Sequence, residues 1–243
     1  LFQYIIMNKL EEFFYNSKKI FGVQKGPTYF KAYDNHLKRF IGKNPVMVEI
    51  GIDQGGSLEM WNNYFDGECT IIGIDINDPS HIQKKFRDAG INNIHCLKGD
   101  QGKPEFWDEF LKVYGSRGID IILDDGGHKM HQQKLSFYKL IDAISINGLY
   151  VCEDLCTSYW PRWGGGKNAN WKPLEDTPQS TIMLFKSLID DLNRYAINNT
   201  KNSDCVDQMM DKKYPNIFSL HFYNGMCCIE KEPYRDNKVM WGK

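Results

Sequence analysis

The sequence predicts an α/β fold: a doubly wound, seven-stranded, mainly parallel sheet that ends in an antiparallel hairpin and follows N-terminal helices. Three observations predict it. Short apolar runs alternate with amphipathic stretches from Val46 to Cys152, several runs end on an acid or a glycine, and Asn224-Gly225 separates two strand-like runs near the C-terminus. The alternation makes parallel strands joined by right-handed crossover helices, and Asn-Gly between strands is a strong hairpin turn.

The elements follow in order, beginning after residues 1–6, because the first methionine is Met7. Leu10, Phe13 and Phe14 recur at helical spacing between Asn8 and Lys19, and Asn8 suits a cap. Gly26-Pro27-Thr28 breaks that helix and starts a second one through Phe40, with Phe30, Tyr33, His36, Leu37 and Phe40 on one face. This N-terminal helical segment, residues 1–42, is expected to pack on a domain spanning 43–243, giving a single domain overall.

Val46 to Ile50 is apolar enough to be buried on both faces, and Gly51 to Ser57 then turns into a helix through Tyr64. A glycine turn of this kind brings backbone amides close to a ligand. Thr70 to Asp75 is a second strand, Pro79 opens a helix to about Ala89, and Asn93 to Leu97 is a third strand closing at Gly99-Asp100-Gln101. Pro104 starts a helix through Tyr114, with Phe106, Trp107, Phe110 and Leu111 as its core stripe. The next strand is Ile119 to Leu123, followed by a helix from His128 to about Ser145, a strand from Leu149 to Cys152, and a long polar and aromatic loop from Leu155 to Gln179. A helix from Ser180 to about Asn198 precedes the final hairpin.

Lys and Arg total 30 against 31 for Asp and Glu, so no general field attracts nucleic acid or an acidic membrane surface. The seven cysteines form no disulfide framework and no Cys-x-x-Cys pair. Buried thiols, a reducing compartment and a cytoplasmic location are expected. No apolar run reaches the length of a membrane span.

The chemistry gathers at the strand ends. Asp124, Asp125 and His128 follow one strand, and Glu153 and Asp154 follow the next. Parallel neighbours place both sets on one sheet edge, where several carboxylates repel unless a cation or substrate compensates them. An acid at Asp75, after a glycine turn, suits the ribose hydroxyls of a nucleoside, and Asp100 or Gln101 suits the adenine edge. The glycine spacing is not that of a dinucleotide site or a phosphate loop. Cys152 and Cys156 flank the second acidic turn but read as small buried hydrophobes rather than ligands. His131, one helical turn beyond His128, and His221 in the hairpin read as structural.

Val48 to Trp61, Asp75, Gly99-Asp100-Gln101, Asp124 to His128 and Glu153 to Trp160 together resemble class I S-adenosylmethionine-dependent methyltransferases, which carry a Rossmann-like fold. More narrowly, they resemble the metal-dependent sugar O-methyltransferases of macrolide and glycan biosynthesis, in the same order over residues 25 to 232. The resemblance implies that Glu49, Gly51 and Ser57 surround the methionine part of the cofactor, Asp75 its ribose, and Asp100 and Gln101 its adenine. It implies Asp125, Glu153 and Asp154 as ligands of Mg²⁺ or a similar divalent cation and His128 as the base. Asp124 is expected either to face the cofactor or to serve the structure, and Tyr159 and Trp160, with Trp163, to pack on the acceptor. Where many relatives have Gly-Ser, this chain has Gly126-Gly127.

The expected reaction is methyl transfer from S-adenosyl-L-methionine, leaving S-adenosylhomocysteine, to a hydroxyl of a small molecule or carbohydrate with a vicinal diol. The alternatives are a catechol-like acceptor, a nicotinamide-dependent sugar dehydrogenase, and a non-catalytic nucleoside-binding module. A homo-oligomer is also compatible with the N-terminal helices.

Overall fold

The computed structural model describes residues 7–166, 179–193 and 213–234. Two helices come first, α1 (Lys9–Asn16) and α2 (Tyr29–Leu37). Asn8 caps α1 through a reciprocal pair with Glu11, as the sequence suggested. Strands and helices then alternate: β1 (Val46–Ile50), α3 (Gly56–Tyr64), β2 (Thr70–Asp75), α4 (Ser80–Asp88), β3 (Ile94–Lys98), α5 (Pro104–Tyr114), β4 (Ile119–Asp124), α6 (Met130–Leu140) and β5 (Ile144–Cys152). The last described elements are α7 (Thr181–Asn193), β6 (Ile217–Tyr223) and β7 (Met226–Lys231).

The sheet order is β3-β2-β1-β4-β5-β7-β6, parallel through β5 and antiparallel at the final hairpin. The expected fold is therefore observed, with successive residues of each strand serving two cores. On one face Met47, Ile71, Ile121 and Leu123 pack with α1 to α4, including Phe30, Tyr33, Trp61 and Phe86. On the other, Val48, Ile72, Ile122 and Tyr150 pack with Trp107, Phe137 and Phe185 from α5, α6 and α7. Each strand interior is covered twice, which is why these runs read as continuously apolar.

One boundary differs from expectation. The helix predicted from His128 to Ser145 begins at Met130, ends at Leu140 and passes through a 3-10 turn at Ile141–Ala143, so β5 starts at Ile144. Phe137, Leu140, Ile141 and Ile144 prolong the helical spacing in the sequence, but Ile144 pairs with Ile119 in the sheet. Tertiary pairing overrides the periodicity there. Two 3-10 turns, Leu155–Tyr159 and Pro161–Trp163, open the predicted long loop. Residues 167–178, the C-terminal part of the helix predicted to Asn198, and Cys205 lie outside the described residues. Among the described residues no helix is long and apolar enough to cross a membrane.

Candidate active site

A cavity of about 860 Å³ opens at the C-terminal edge of β1, β2, β4 and β5. That is where doubly wound sheets bind ligands, because β1 and β4 send their connections to opposite faces. Gly51, with φ of 83°, forms its floor. A side chain there would put Cβ 2.2 Å from the carbonyl oxygen of Asp125, so the approach of the two strand ends requires glycine.

Glu49 lies behind the cavity wall, bonded to Ser57, which lines it. It is fully buried, and its Oε2 accepts a hydrogen bond from Ser57 Oγ at 2.8 Å, while its Oε1 is buried without a hydrogen-bond partner among the described residues. Burial pushes this carboxyl upward, against the pull of Lys25. At the far end Asp75 accepts the amides of Ile52 (3.2 Å) and Asp53 (3.1 Å) on Oδ2 and that of Asn77 (2.8 Å) on Oδ1. Asp100 also lines the cavity and accepts the Gly102 amide at 2.8 Å.

Gln101 lines the same cavity, but its side chain is committed elsewhere. Its amide nitrogen donates to Asp124 Oδ1 (3.0 Å) and Ser136 Oγ (3.1 Å), and its oxygen accepts the Gly127 amide (2.6 Å). It holds the Gly126-Gly127 turn against β4.

The two adjacent acids of β4 part company. Asp124 is still in the strand, is fully buried, and accepts from Gln101, from Tyr150 Oη (3.2 Å) and from the Gly126 amide (3.4 Å). Of the two roles expected for it, the structural one matches this placement: it does not line the cavity as a cofactor-facing residue would, because consecutive residues leaving a strand point to opposite faces. Burial raises its carboxyl above the ordinary range, with Gln101, Gly126 and Tyr150 opposing. Asp125 is the residue on the cavity wall.

His128 and Asp154 both have left-handed backbone, with φ of 53° and 51°. These turns aim their side chains at each other and at Asp125, and one donor atom from each of the three lies within 4.8 Å of the others. His128 Nε2 is 3.4 Å from Asp154 Oδ2, while its Nδ1 is buried with no hydrogen-bond partner among the described residues. Thr157 Oγ1 donates to the carbonyls of His128 (3.1 Å) and Asp154 (2.8 Å), locking the two acidic turns together.

Glu153 lies deeper, with its side chain 2% exposed, and accepts from Tyr33 Oη and from Lys25 Nζ (3.0 Å). Burial pushes its carboxyl well above the ordinary carboxylate range despite Lys25. Lys25 also reaches Asp125 Oδ2 (2.5 Å) and Glu49 Oε1 (3.6 Å). Burial alone would lower its ammonium pKa, but Glu153, Asp125 and Glu49 together raise it. Tyr29 Oη donates to Asp154 Oδ1 at 3.0 Å.

Lys25 and Tyr29 were not identified from the sequence as site residues, and Tyr33 was read only as part of an aromatic helix face able to roof the site. The available signal was the four-residue spacing of Tyr29 and Tyr33, which puts both on one face of α2. Of the remaining candidates, Tyr159 and Trp160 are exposed beside the second acidic turn and do not line the cavity. Cys152 is a buried thiol held well above its ordinary pKa by burial and by Asp124, and Cys156 is outside the ligand group. His131 is exposed, and His221 belongs to a separate cluster with His36 and Glu230.

No family model matches the chain. Over 208 residues it is 32% identical to mycinamicin VI 2''-O-methyltransferase of Micromonospora griseorubida, an alignment covering 82% of this chain and 47% of that one. It is likewise 32% identical over 206 residues to demethylmacrocin O-methyltransferase of Streptomyces fradiae, covering 82% and 47%. The chain spans about half the length of the curated relatives it matches. Among solved structures, MycE methyltransferase from the mycinamycin biosynthetic pathway, in complex with Mg, SAH and mycinamycin VI, is similar at a TM-score of 0.71 and 29% identity, over 89% of this chain and 52% of that one. In sequence and in fold, the chain belongs to the class I S-adenosylmethionine-dependent methyltransferases, among the relatives of the macrolide sugar O-methyltransferases.

Proposed function

We propose that the chain transfers a methyl group from S-adenosylmethionine to a hydroxyl of a sugar or glycan, with a divalent cation, Mg²⁺ by preference, beside the acceptor. The observation that carries this reading is the convergence of Asp125, His128, Glu153 and Asp154 at one cavity whose other walls include Gly51, Ser57 and Asp75. The relatives' names describe O-methylation of macrolides, and the MycE complex holds Mg and SAH, which supports the same chemistry here.

The residues fit both groups. Glu49 Oε1, buried and without a hydrogen-bond partner among the described residues, suits the ammonium of a methionine moiety, and the bare Gly51 lets that moiety lie against the backbone. Asp75 suits the ribose, and Asp100 is the polar side chain left for the adenine end. Asp125, Glu153 and Asp154 offer only oxygen donors, which favour a hard cation over zinc. Asp125 and Glu153 already share one cation, the Lys25 ammonium, which puts their oxygens in reach of a common charge.

A cation held there would polarise an acceptor hydroxyl, whose unassisted pKa lies near ~16. His128, on the cavity wall, would take the hydroxyl proton, and the bound cofactor would supply the electrophilic methyl group. Asp154 holds the ring and stabilises it once protonated. Tyr159 and Trp160 offer exposed aromatic faces for the acceptor beside this centre. A methyl-transfer screen against glycosides bearing vicinal diols tests the proposal. Transfer to a sugar oxygen is expected; binding of neither S-adenosylmethionine nor S-adenosylhomocysteine would overturn it.

A further inference from the structure

The Lys25 side chain is 2% exposed and its ammonium lies among three carboxylates, at 2.5 Å from Asp125 Oδ2, 3.0 Å from Glu153 Oε1 and 3.6 Å from Glu49 Oε1. The rings of Tyr33 and Trp61 lie 6.0 Å from it on the remaining sides. Two of its partners are oxygens that the proposed divalent cation would use. An ammonium and a divalent cation that share two carboxylates repel strongly in a dry site.

The segment carrying Lys25 lies between two anchors. Upstream, the backbone amides of Ile20 and Phe21 are fixed on the Glu59 carboxylate. Downstream, Tyr29 is fixed on Asp154. Between these anchors Gly22 to Gly26 form no helix or strand, and Gly22, Gln24, Lys25 and Gly26 all line the cavity.

We propose that Lys25 is a tethered counter-ion that competes with the divalent cation for Asp125 and Glu153, so that metal binding displaces its ammonium from these two carboxylates. The inference rests on the metal reading above. It makes Lys25 a positioning residue that keeps the acids together before the metal arrives and sets the metal affinity. It also joins the N-terminal segment to the metal centre, because the chain that moves is a wall of the cofactor cavity.

Calorimetric titration of the full chain with Mn²⁺ tests this, comparing wild type with Lys25→Met, which keeps the apolar stem. Folded Lys25→Met, verified by circular dichroism, is expected to bind Mn²⁺ about tenfold more tightly than wild type, and to melt at a lower temperature than wild type before metal is added. Equal or weaker Mn²⁺ binding by the variant would overturn the competition while leaving the metal site standing. Binding by neither protein would overturn both readings. A crystal structure of the wild type with Mn²⁺ supplies an arm independent of the variant: the Lys25 ammonium should have left Asp125 and Glu153, and an ammonium still in contact with both beside a bound ion contradicts the proposal.

Discussion

His128 Nε2 and Asp154 Oδ2 lie 3.4 Å apart across two turns that both use left-handed backbone. Such conformations cost about 1–3 kcal/mol each for non-glycine residues and persist where surrounding structure enforces them. Thr157, bonded to both carbonyls, is the enforcing group. Replacing His128 with Ala should therefore cost turnover rather than fold. A loss of ~10²–10⁴-fold in kcat is expected, with S-adenosylhomocysteine affinity within a few-fold of wild type. Undiminished turnover would remove His128 from the reaction.

Asp124 and Asp125 should separate stability from activity. Asp124→Ala leaves the buried donors of Gln101 and Tyr150 unpaired, at about 1–3 kcal/mol for each. Urea unfolding should show that loss. A variant of wild-type stability that no longer binds the cofactor would return Asp124 to the cofactor site.

Gly51→Ala meets two obstacles, a positive φ and the Asp125 carbonyl at 2.2 Å from the new Cβ. The conformational part alone is worth roughly 1–2 kcal/mol, and the clash forces β1 and β4 apart where the cofactor sits. A lower melting temperature together with at least ~10-fold weaker S-adenosylhomocysteine binding is expected by calorimetry. Unchanged binding would mean that the ligand does not lie on this turn.

Glu230 gives the fold a predictable acid limb. Its carboxyl is pulled down to about 2, first by the hydrogen bond with His36 and further by the charge of Arg39, against the effect of burial. A depressed carboxyl contributes its stability above the unfolded value of 4.5 and loses it as pH falls from there toward 2. Chemical denaturation across that window should show a shallower decline in Glu230→Gln than in wild type. Parallel curves would remove this contribution.

Most of the framework was legible because local and global signals agree in it. The runs at Val46–Ile50, Thr70–Asp75 and Ile119–Asp124 are apolar because two cores cover them, and Asn224-Gly225 turns the hairpin that it predicts. The resemblance supplied the acids, and the structure chose between neighbours: strand alternation sends Asp125 to the cavity and Asp124 inward. Lys25, Tyr29 and Tyr33 were not legible as partners of the acids because Asp125, Asp154 and Glu153 lie 100 to 125 positions further along the chain. No local pattern distinguishes a tyrosine that packs in a core from one that also holds a carboxylate. Gln101 was legible as a polar strand-end residue, but its use as a strut depends on Asp124 and Gly127, which only the fold brings near.

The most direct measurement is the initial rate of methyl transfer from S-adenosylmethionine to a diol-bearing glycoside, in excess chelator and after Mg²⁺ is restored, for wild type and Asp125→Ala. The account predicts wild-type transfer that stops in chelator and returns with Mg²⁺, and a variant that binds the cofactor yet stays inactive under both conditions. Full wild-type turnover in chelator, or full turnover by Asp125→Ala, would contradict it.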